Sequence, residues 1–187
     1  MLLSVCIPTF NRSRKLLSTL SALDKAADCA RECDIPCDIE VLIGDNASSD
    51  DTQEVVASCV SSNLTIKYTR RPENIGCERN WLELALSSLG DYCWILSDDD
   101  VLSSQVIVHI LRASVFNPSL IFIDYAVTSQ DDRSCLFEEC KGERPDFANE
   151  CALSRGFGLK TFFEHTRFRS SFISSNVQSL IHISEPT

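Results

Sequence analysis

The sequence predicts an α/β protein with a mostly parallel sheet and helices on both of its faces. Between residues 2 and 125, short apolar segments alternate with segments whose apolar residues recur at helical spacing. A polar loop follows each of the first four apolar segments. The carboxyl ends of parallel strands meet at one edge of a sheet, and ligands bind there in such folds. We therefore expect the four loops to form one ligand-binding rim.

The first strand–helix unit begins with Leu2–Pro8, a near-continuous apolar run that predicts a strand buried on both faces. Asn11 or Ser13 can cap the helix that follows, because either side chain can accept a hydrogen bond from a free backbone N–H. The apolar residues of this helix recur at helical spacing. They are Leu16, Leu17, Leu20, Leu23 and Ala27.

The second and third units repeat this order. Ile39–Asp45 predicts another buried strand, and Asp50 and Asp51 place acidic charge where a helix dipole favours it. The apolar residues of that helix are Val55, Val56, Cys59 and Val60. Leu64–Arg70 alternates apolar and polar residues, as a half-exposed strand does. The third helix should end at Gly90. Its apolar residues are Trp81, Leu82, Leu84, Ala85, Leu86 and Leu89.

Three more regular elements follow. Tyr92–Ser97 is apolar enough for a buried strand, residues 106 to 111 have helical spacing, and Ser119–Tyr125 predicts a fifth strand. We interpret residues 128 to 154 as a surface excursion, because their charges follow no period. Residues 170 to 177 predict a strand or the end of one.

Composition limits the partners. The 187-residue chain has a formal net charge of -10 and a pI of about 4.7, which argues against nucleic acid because phosphate backbones need a basic surface. No segment reaches the ~18 apolar residues of a membrane span, and the N-terminus lacks the basic region of a signal peptide. We therefore expect a cytoplasmic protein.

Three consecutive aspartates, Asp98, Asp99 and Asp100, follow the fourth predicted strand. Like charges this close repel each other. A divalent cation such as Mg2+ or Mn2+ would cancel the repulsion, with phosphate oxygens of a substrate completing its coordination. The alternative is capping of the next helix. The buried strand before the triplet and the other three polar loops favour the metal.

The first two loops carry further candidate residues. The Asp45 carboxylate could accept a hydrogen bond from the ring N–H of a base such as uracil, or it could form an Asx turn before the next helix. Both interpretations stay open. Thr9 and Asn11 offer uncharged hydrogen bonds, and Arg12 offers a cation for a phosphate or carboxylate.

The third loop contains Gly76, which permits backbone conformations that other residues resist. Asn74, Arg79 and Asn80 flank this glycine. We count Asn74 and Arg79 among the candidate nucleotide-binding residues.

Four segments carry a resemblance to a known family. In chain order they are VCIPTFNR, IEVLIGDNASSDDT, ENIGCERNWLELAL and YCWILSDDDVL. Their order and spacing over residues 2 to 125 resemble the motifs of family 2 glycosyltransferases of the GT-A fold. The resemblance implies a Rossmann-like GT-A sheet and a nucleotide-diphosphate sugar as donor, with a UDP-sugar favoured. It also implies inverting, metal-dependent transfer to the hydroxyl of a glycan or lipid-linked acceptor. The setting would be synthesis of bacterial-type polysaccharide or lipid-linked glycan, with peripheral association at the inner face of the membrane.

Carried over to this sequence, the resemblance assigns roles residue by residue. The residues that would line the nucleotide pocket are Pro8, Thr9 and Arg12. Asp45 would face the base, and Asp98 and Asp100 would frame the DxD-type motif that holds Mg2+ or Mn2+ against the diphosphate. Many relatives begin this motif one position earlier, where this chain has Ser97. Which two aspartates contact the metal therefore stays open, and Asp98 counts among both the nucleotide and the metal contacts.

The expected domain covers residues 1 to 178, with a nucleotide-binding half over 2–125 and a partial acceptor half over 126–178. Inverting members take their general base from the acceptor side, where Glu164 is the candidate by composition and a solvated helix face is the alternative. Residues 179 to 187 continue neither a strand nor a helix. We expect them to be a non-native tail on a domain that is truncated at its C-terminal end.

Two other functions compete with sugar transfer. A nucleotidyltransferase would also use a nucleotide and a metal, but it normally has a glycine-rich loop after the first strand, and PTFNRSRK contains no glycine. A nucleotide-binding fragment without catalysis would keep the rim and lack the base. Release of sugar from a donor, with and without an acceptor, separates an enzyme from such a fragment.

Overall fold

The computed structural model describes residues 1–118, 120–123, 152–153 and 176–179. The strands are β1 (Leu2–Thr9), β2 (Asp38–Asp45), β3 (Thr65–Arg70), β4 (Tyr92–Ile95), β5 (Leu120–Phe122), β6 (Ala152–Leu153) and β7 (Asn176–Ser179). The helices are α1 (Ser13–Glu32), α2 (Thr52–Ser58), α3 (Cys77–Ser87) and α4 (Val106–Ser114). None of the helices in this described part combines the length and the apolar character that crossing a membrane requires.

The described strands form one sheet in the order β3-β2-β1-β4-β7-β5-β6. β1 pairs in parallel with β2 and β4, and β2 pairs in parallel with β3, which confirms the predicted parallel sheet. β7 lies between β4 and β5 and is antiparallel to both, while β6 is antiparallel to β5. The sequence predicts a strand or the end of one over residues 170 to 177; Asn176 and Val177 lie in β7, and the rest of that segment lies outside the described residues. The neighbours of β7 could not be predicted, because a local pattern does not encode a distant pairing partner.

β7 extends by one residue into the segment that was predicted to be a non-native tail. Its last residue, Ser179, is the first residue of the predicted tail and pairs with Tyr92 of β4. Residues 180 to 187, Glu164 and most of the predicted acceptor half lie outside the described residues.

Alternation along β1 divides the apolar core between two helix layers. Leu3, Val5 and Ile7 are buried in the larger cluster, which also contains residues of α1, α2 and α4. Cys6 points to the other face, where it packs with Leu84 of α3. Helices therefore cover both faces of the sheet, as the sequence predicts.

Two helix boundaries differ from the prediction. Neither Asn11 nor Ser13 caps α1 with its side chain; instead the Asp50 carboxylate accepts the Ser13 N–H at 3.0 Å. The cap therefore comes from the loop after β2 and ties two rim loops together. α2 ends at Ser58 rather than continuing through Val60, because Cys59 adopts an extended backbone.

Gly90 does not end α3, which stops at Ser87. A Cβ atom at Gly90 would lie 2.6 Å from Ser4 Oγ and 2.7 Å from Leu2 O, so only glycine allows this approach to β1. The approach lets the Gly90 N–H donate to Ser4 Oγ at 2.8 Å.

Glu40 of β2 is a buried carboxylate on the α3 side of the sheet. Its Oε1 accepts hydrogen bonds from Ser4 Oγ at 2.5 Å and from the Leu89 N–H at 2.8 Å. Its Oε2 accepts a hydrogen bond from Lys67 Nζ at 2.8 Å. A buried charge is tolerated when it is paired and hydrogen-bonded in this way.

Replacing Glu40 with Ala should lower the free energy of unfolding by about 2–4 kcal/mol, because the Ser4 hydroxyl and the Leu89 N–H lose their acceptor. Urea unfolding measures the change. Glu54→Ala, which removes an exposed glutamate of α2, is the control and should cost less than about 1 kcal/mol. A loss for Glu40→Ala no larger than that of the control would contradict this role.

Candidate functional site

The rim forms where β1, β2 and β4 end. Thr9 is the register partner of Asp45, and the Asn46 N–H donates to Thr9 O at 2.9 Å. The Leu96 N–H donates to Cys6 O at 2.9 Å, which carries the β1–β4 pairing one step beyond β4. These backbone bonds bring the loops after β1, β2 and β4 to one edge, as the sequence predicts.

Asp98 lies at the centre of this edge, with a side chain that is only 4% exposed. Its Oδ2 accepts a hydrogen bond from Thr9 Oγ1 at 2.8 Å, and its Oδ1 accepts one from Arg12 Nη1 at 3.0 Å. Its backbone carbonyl accepts a hydrogen bond from Thr19 Oγ1 at 3.0 Å. The hydrogen bond to Asp98 is the main reason that the pKa of Arg12 is raised. Three predicted site residues, Thr9, Arg12 and Asp98, therefore meet.

Asp99 is more open, with a side chain that is 36% exposed. Its Oδ1 accepts a hydrogen bond from Ser97 Oγ at 2.6 Å. Its Oδ2 lies 3.2 Å from both Arg12 Nη1 and Lys15 Nζ. The Ser97 hydrogen bond is the largest cause of a lowered pKa for Asp99, and Lys15 and Arg12 lower it further. Asp99 is thus held as a carboxylate by the Ser97 hydroxyl first and by two cations in addition.

The acidic triplet does not cap a helix. α4 begins at Val106 with Gln105 at its N-cap position, so five residues separate Asp100 from the helix. Asp100 is half-buried, and its N–H donates to Ser97 O at 3.4 Å. The geometry therefore removes the capping alternative for these three aspartates.

Whether a metal would fit at the rim depends on the carboxylates of Asp98, Asp99 and Asp100. The described part of the chain contains no group of three or more His, Cys, Asp and Glu side chains that could hold a metal by themselves. The oxygens of Asp98, Asp99 and Asp100 are nevertheless hard ligands at the end of one strand, and Mg2+ commonly binds one or two carboxylates together with phosphate oxygens. The donor set fits a metal that is shared with a diphosphate.

Asp45 is almost completely buried, at 1% exposure. Its Oδ1 accepts the Ser48 N–H at 2.8 Å, and its Oδ2 accepts the Tyr68 hydroxyl at 2.5 Å and lies 3.8 Å from Arg70 Nε. Burial, followed by the hydrogen bond to Asp45, raises the pKa of Tyr68. The Asp45 carboxylate therefore orders the loop that begins at Asn46, but it does not start the next helix, because it accepts the Ser48 N–H and α2 begins at Thr52.

Asn46 joins the second loop to the third. Its side chain donates to Asn74 Oδ1 at 2.8 Å and accepts the Ile75 N–H at 2.8 Å. Asn74 Oδ1 also accepts the Gly76 N–H at 2.9 Å, where Gly76 has a φ of 87°. Asn74 therefore belongs to the rim network, through a buried residue, Asn46, that the sequence analysis did not single out.

The remaining candidates are spread around this network. Pro8 is half-buried in β1, opposite Gly44 of β2. Asn11 has a φ of 54°, and its Oδ1 accepts the Ser49 N–H at 2.7 Å, which ties the first loop to the second. Arg79 is 69% exposed and pairs with Glu83 at 2.9 Å along α3, so the structure does not bring it into the cluster.

Sequence reasoning missed Lys15, Asn46 and Tyr68 at this edge. Lys15 could have been noticed because a cation in the first turn of a helix opposes the dipole. Asn46 directly follows a candidate residue, and Tyr68 offers a hydroxyl near the end of a strand beside β2. Alone, none of these positions has a chemical signal that separates it from an ordinary surface or core residue.

The fold and rim together define a Rossmann-like α/β protein with a cluster of polar side chains at the carboxyl edge of its sheet, where ligands bind in such folds. Solved structures share this fold. Staphylococcus aureus TarS 1-349 in complex with UDP superposes with a TM-score of 0.58 and 20% identity over 69% of this chain and 38% of that chain. The mannosyltransferase PcManGT of Pyrobaculum calidifontis, in complex with GDP-Man and Mn2+, superposes with a TM-score of 0.53 and 17% sequence identity. This match covers 70% of this chain and 36% of that chain.

The family model for glycosyl transferase family 2 matches residues 4–168, and the chain belongs to this family. It is 38% identical to the abequosyltransferase RfbV of Salmonella typhimurium over 106 aligned residues. The alignment covers 56% of this chain and 30% of that protein. It is 26% identical, over 97% of its own length, to the GalNAc(5)-diNAcBac-PP-undecaprenol beta-1,3-glucosyltransferase of Campylobacter jejuni. That alignment spans 59% of the Campylobacter protein, so this chain covers only part of both relatives.

Tyr68→Phe should destabilise the fold by about 1.5–3 kcal/mol, because the hydrogen bond that it removes ends on a buried carboxylate. Tyr92→Phe is the matched comparison, since the Tyr92 hydroxyl donates to the neutral carbonyl of Pro118 at 2.8 Å. Its expected loss is about 0.5–1.5 kcal/mol. Urea unfolding of both variants decides the matter, and an equal or smaller loss for Tyr68→Phe would show that Asp45 does not depend on this hydroxyl.

Proposed function

We propose that this chain is the donor-binding part of a glycosyltransferase that moves a sugar from a nucleotide diphosphate, UDP foremost, to an acceptor hydroxyl. The observation that carries the proposal is the buried carboxylate of Asp98, held by Thr9 and Arg12 at the carboxyl edge of the parallel strands. Family membership favours sugar transfer over nucleotidyl transfer. The UDP bound to TarS and the GDP-Man bound to PcManGT support a nucleotide donor.

In this proposal each loop has one task. The second loop, ordered by Asp45 and Asn46, forms the wall of the pocket beside the base. Either the Asp45 side chain contacts the base, or Asp45 positions the loop backbone that contacts it. The first loop supplies Arg12, whose guanidinium is always cationic and can bind the diphosphate. Asp98 fixes the ribose side of the pocket. Asn74 extends the wall, while Arg79 would have to leave Glu83 to take part.

The triplet Asp98 to Asp100 would hold Mg2+ or Mn2+, which when bound offsets negative charge on the nucleotide leaving group. The acceptor hydroxyl would attack the anomeric carbon from the side opposite the diphosphate as the C–O bond to the diphosphate breaks. A general base would take the hydroxyl proton. Attack on the face opposite the departing diphosphate would invert the configuration at the carbon. Glu164 is the proposed base by composition, and it lies outside the described residues.

The acceptor class follows from a relative and from charge. The Campylobacter protein is named for a PP-undecaprenol substrate, which supports a glycan or lipid-linked acceptor and a cytoplasmic protein that associates peripherally with the inner face of the membrane. The net charge of -10 argues against nucleic acid as a partner.

Asp98→Asn should weaken UDP binding in the presence of Mn2+ by about 1.5–3 kcal/mol, because it removes a charge from the centre of the pocket and from the metal ligands. Titration calorimetry at a temperature where the variant remains folded measures this. Asp28→Asn, an exposed aspartate on α1, is the control and should bind UDP as the wild type does. Wild-type affinity for UDP that is the same in Mn2+ and in EDTA would refute the shared metal site.

Sugar release from UDP-sugars, measured with and without a polyprenyl-linked acceptor, tests the reaction itself. Release that depends on the acceptor supports the transferase. UDP binding without any release under either condition would support the nucleotide-binding fragment.

A further inference from the structure

The start of α1 carries charges of the wrong sign for its dipole. Arg12 is the N-cap residue, Arg14 and Lys15 follow in the first turn, and this turn contains no acidic residue. Cations are disfavoured at the positive end of a helix. A broken local rule of this kind is expected where function requires it, or where another part of the fold compensates.

The compensation comes from the loop after β4. Arg12 Nη1 bridges the two carboxylates, at 3.0 Å from Asp98 Oδ1 and 3.2 Å from Asp99 Oδ2. Lys15 Nζ lies 3.2 Å from the same Asp99 oxygen. Arg12 and Lys15 thus offset the charges of Asp98 and Asp99 in one cluster. Arg12 and Lys15 are each 48% exposed at their side chains, so both can move without opening the core.

This cluster conflicts with a metal on Asp99. The electrostatic energy scales with the product of the charges, so a divalent cation at the Asp99 carboxylate repels Lys15 about twice as strongly as Asp99 attracts it at equal distance. A diphosphate removes the conflict, because its negative charge attracts both the metal and the two side chains. The two cations offset the charges of Asp98 and Asp99 when no ligand is bound, and the negative charge of a diphosphate offsets the divalent metal when both ligands bind.

We propose that Lys15, with Arg12, occupies the acidic triplet in the nucleotide-free protein and that Lys15 passes from Asp99 to the diphosphate when the metal–nucleotide complex binds. The inference rests on the proposed nucleotide site and adds Lys15 to it as a positioning residue. By displacing Lys15, each ligand helps the other to bind, and this coupling is reciprocal. Metal alone binds weakly because it must first displace the ammonium group.

The test is the affinity for Mn2+, measured by the EPR signal of free Mn2+ in solutions of the 187-residue chain with and without UDP. Lys15→Gln should bind Mn2+ alone about 2–5-fold more tightly than wild type, since an exposed ion pair no longer has to be broken. The factor by which UDP tightens Mn2+ binding should fall by at least the same amount. Lys15→Arg keeps the charge and should restore the wild-type values.

Lys25→Gln is the control, because it removes an exposed lysine from the same helix ten residues further along. It should leave both affinities unchanged. Wild-type tightening of Mn2+ by UDP, with Lys15→Gln indistinguishable from Lys25→Gln, would overturn the role of Lys15 and leave the nucleotide site standing. Absence of any tightening by UDP in the wild type would instead contradict the nucleotide site on which the inference rests.

Discussion

The buried carboxylate of Asp98 is the constraint on which the candidate site depends. An isolated charge in this position would be costly, because little water reaches it. Thr9 from β1 and Arg12 from the start of α1 offset that cost by hydrogen bonding to its two oxygens. Because Thr19 also binds the Asp98 carbonyl, the end of β4 is held against the first strand–helix unit. These three hydrogen bonds together fix the first residue of the acidic triplet.

The other rim loops are joined by hydrogen bonds of the same kind. Asp50 caps α1 from the second loop, and Asn11 accepts the Ser49 N–H from the first. Asn46 then connects the second loop to the third through Asn74 and Ile75. Loops that are ordered before a ligand arrives lose less conformational entropy on binding. These hydrogen bonds between ordinary polar side chains therefore order the rim loops before any ligand binds.

Much of this arrangement could be predicted from the sequence, because the strands and helices differ in period and the polar loops sit at the carboxyl ends of strands. That Thr9 and Asp98 share one edge follows from the parallel order of the strands, but their direct contact depends on β4 lying next to β1. The burial of Asp45 under Tyr68 likewise depends on β3 lying next to β2. The sequence predicts Asn11 or Ser13 as the cap of α1, because a local pattern cannot show that Asp50 approaches from another loop. For the same reason, the local pattern that reaches Asn176 and Val177 of β7 does not show that this strand pairs with β4 and β5.

The assignment of a shared metal–nucleotide site at Asp98 is tested most directly by paramagnetic NMR. Bound Mn2+ broadens the NMR signals of nearby backbone amides. The amides of Thr9, Arg12 and Asp99 report on the rim. The amides of Asp34 and Cys37 lie just before β2, at the end of that strand opposite the rim, and serve as distant reporters. With UDP present, substoichiometric Mn2+ should broaden the rim signals and spare the distant ones. In the absence of UDP, the same Mn2+ should have much less effect. Broadening that is unchanged by UDP, or that is strongest away from the rim, would contradict the assignment.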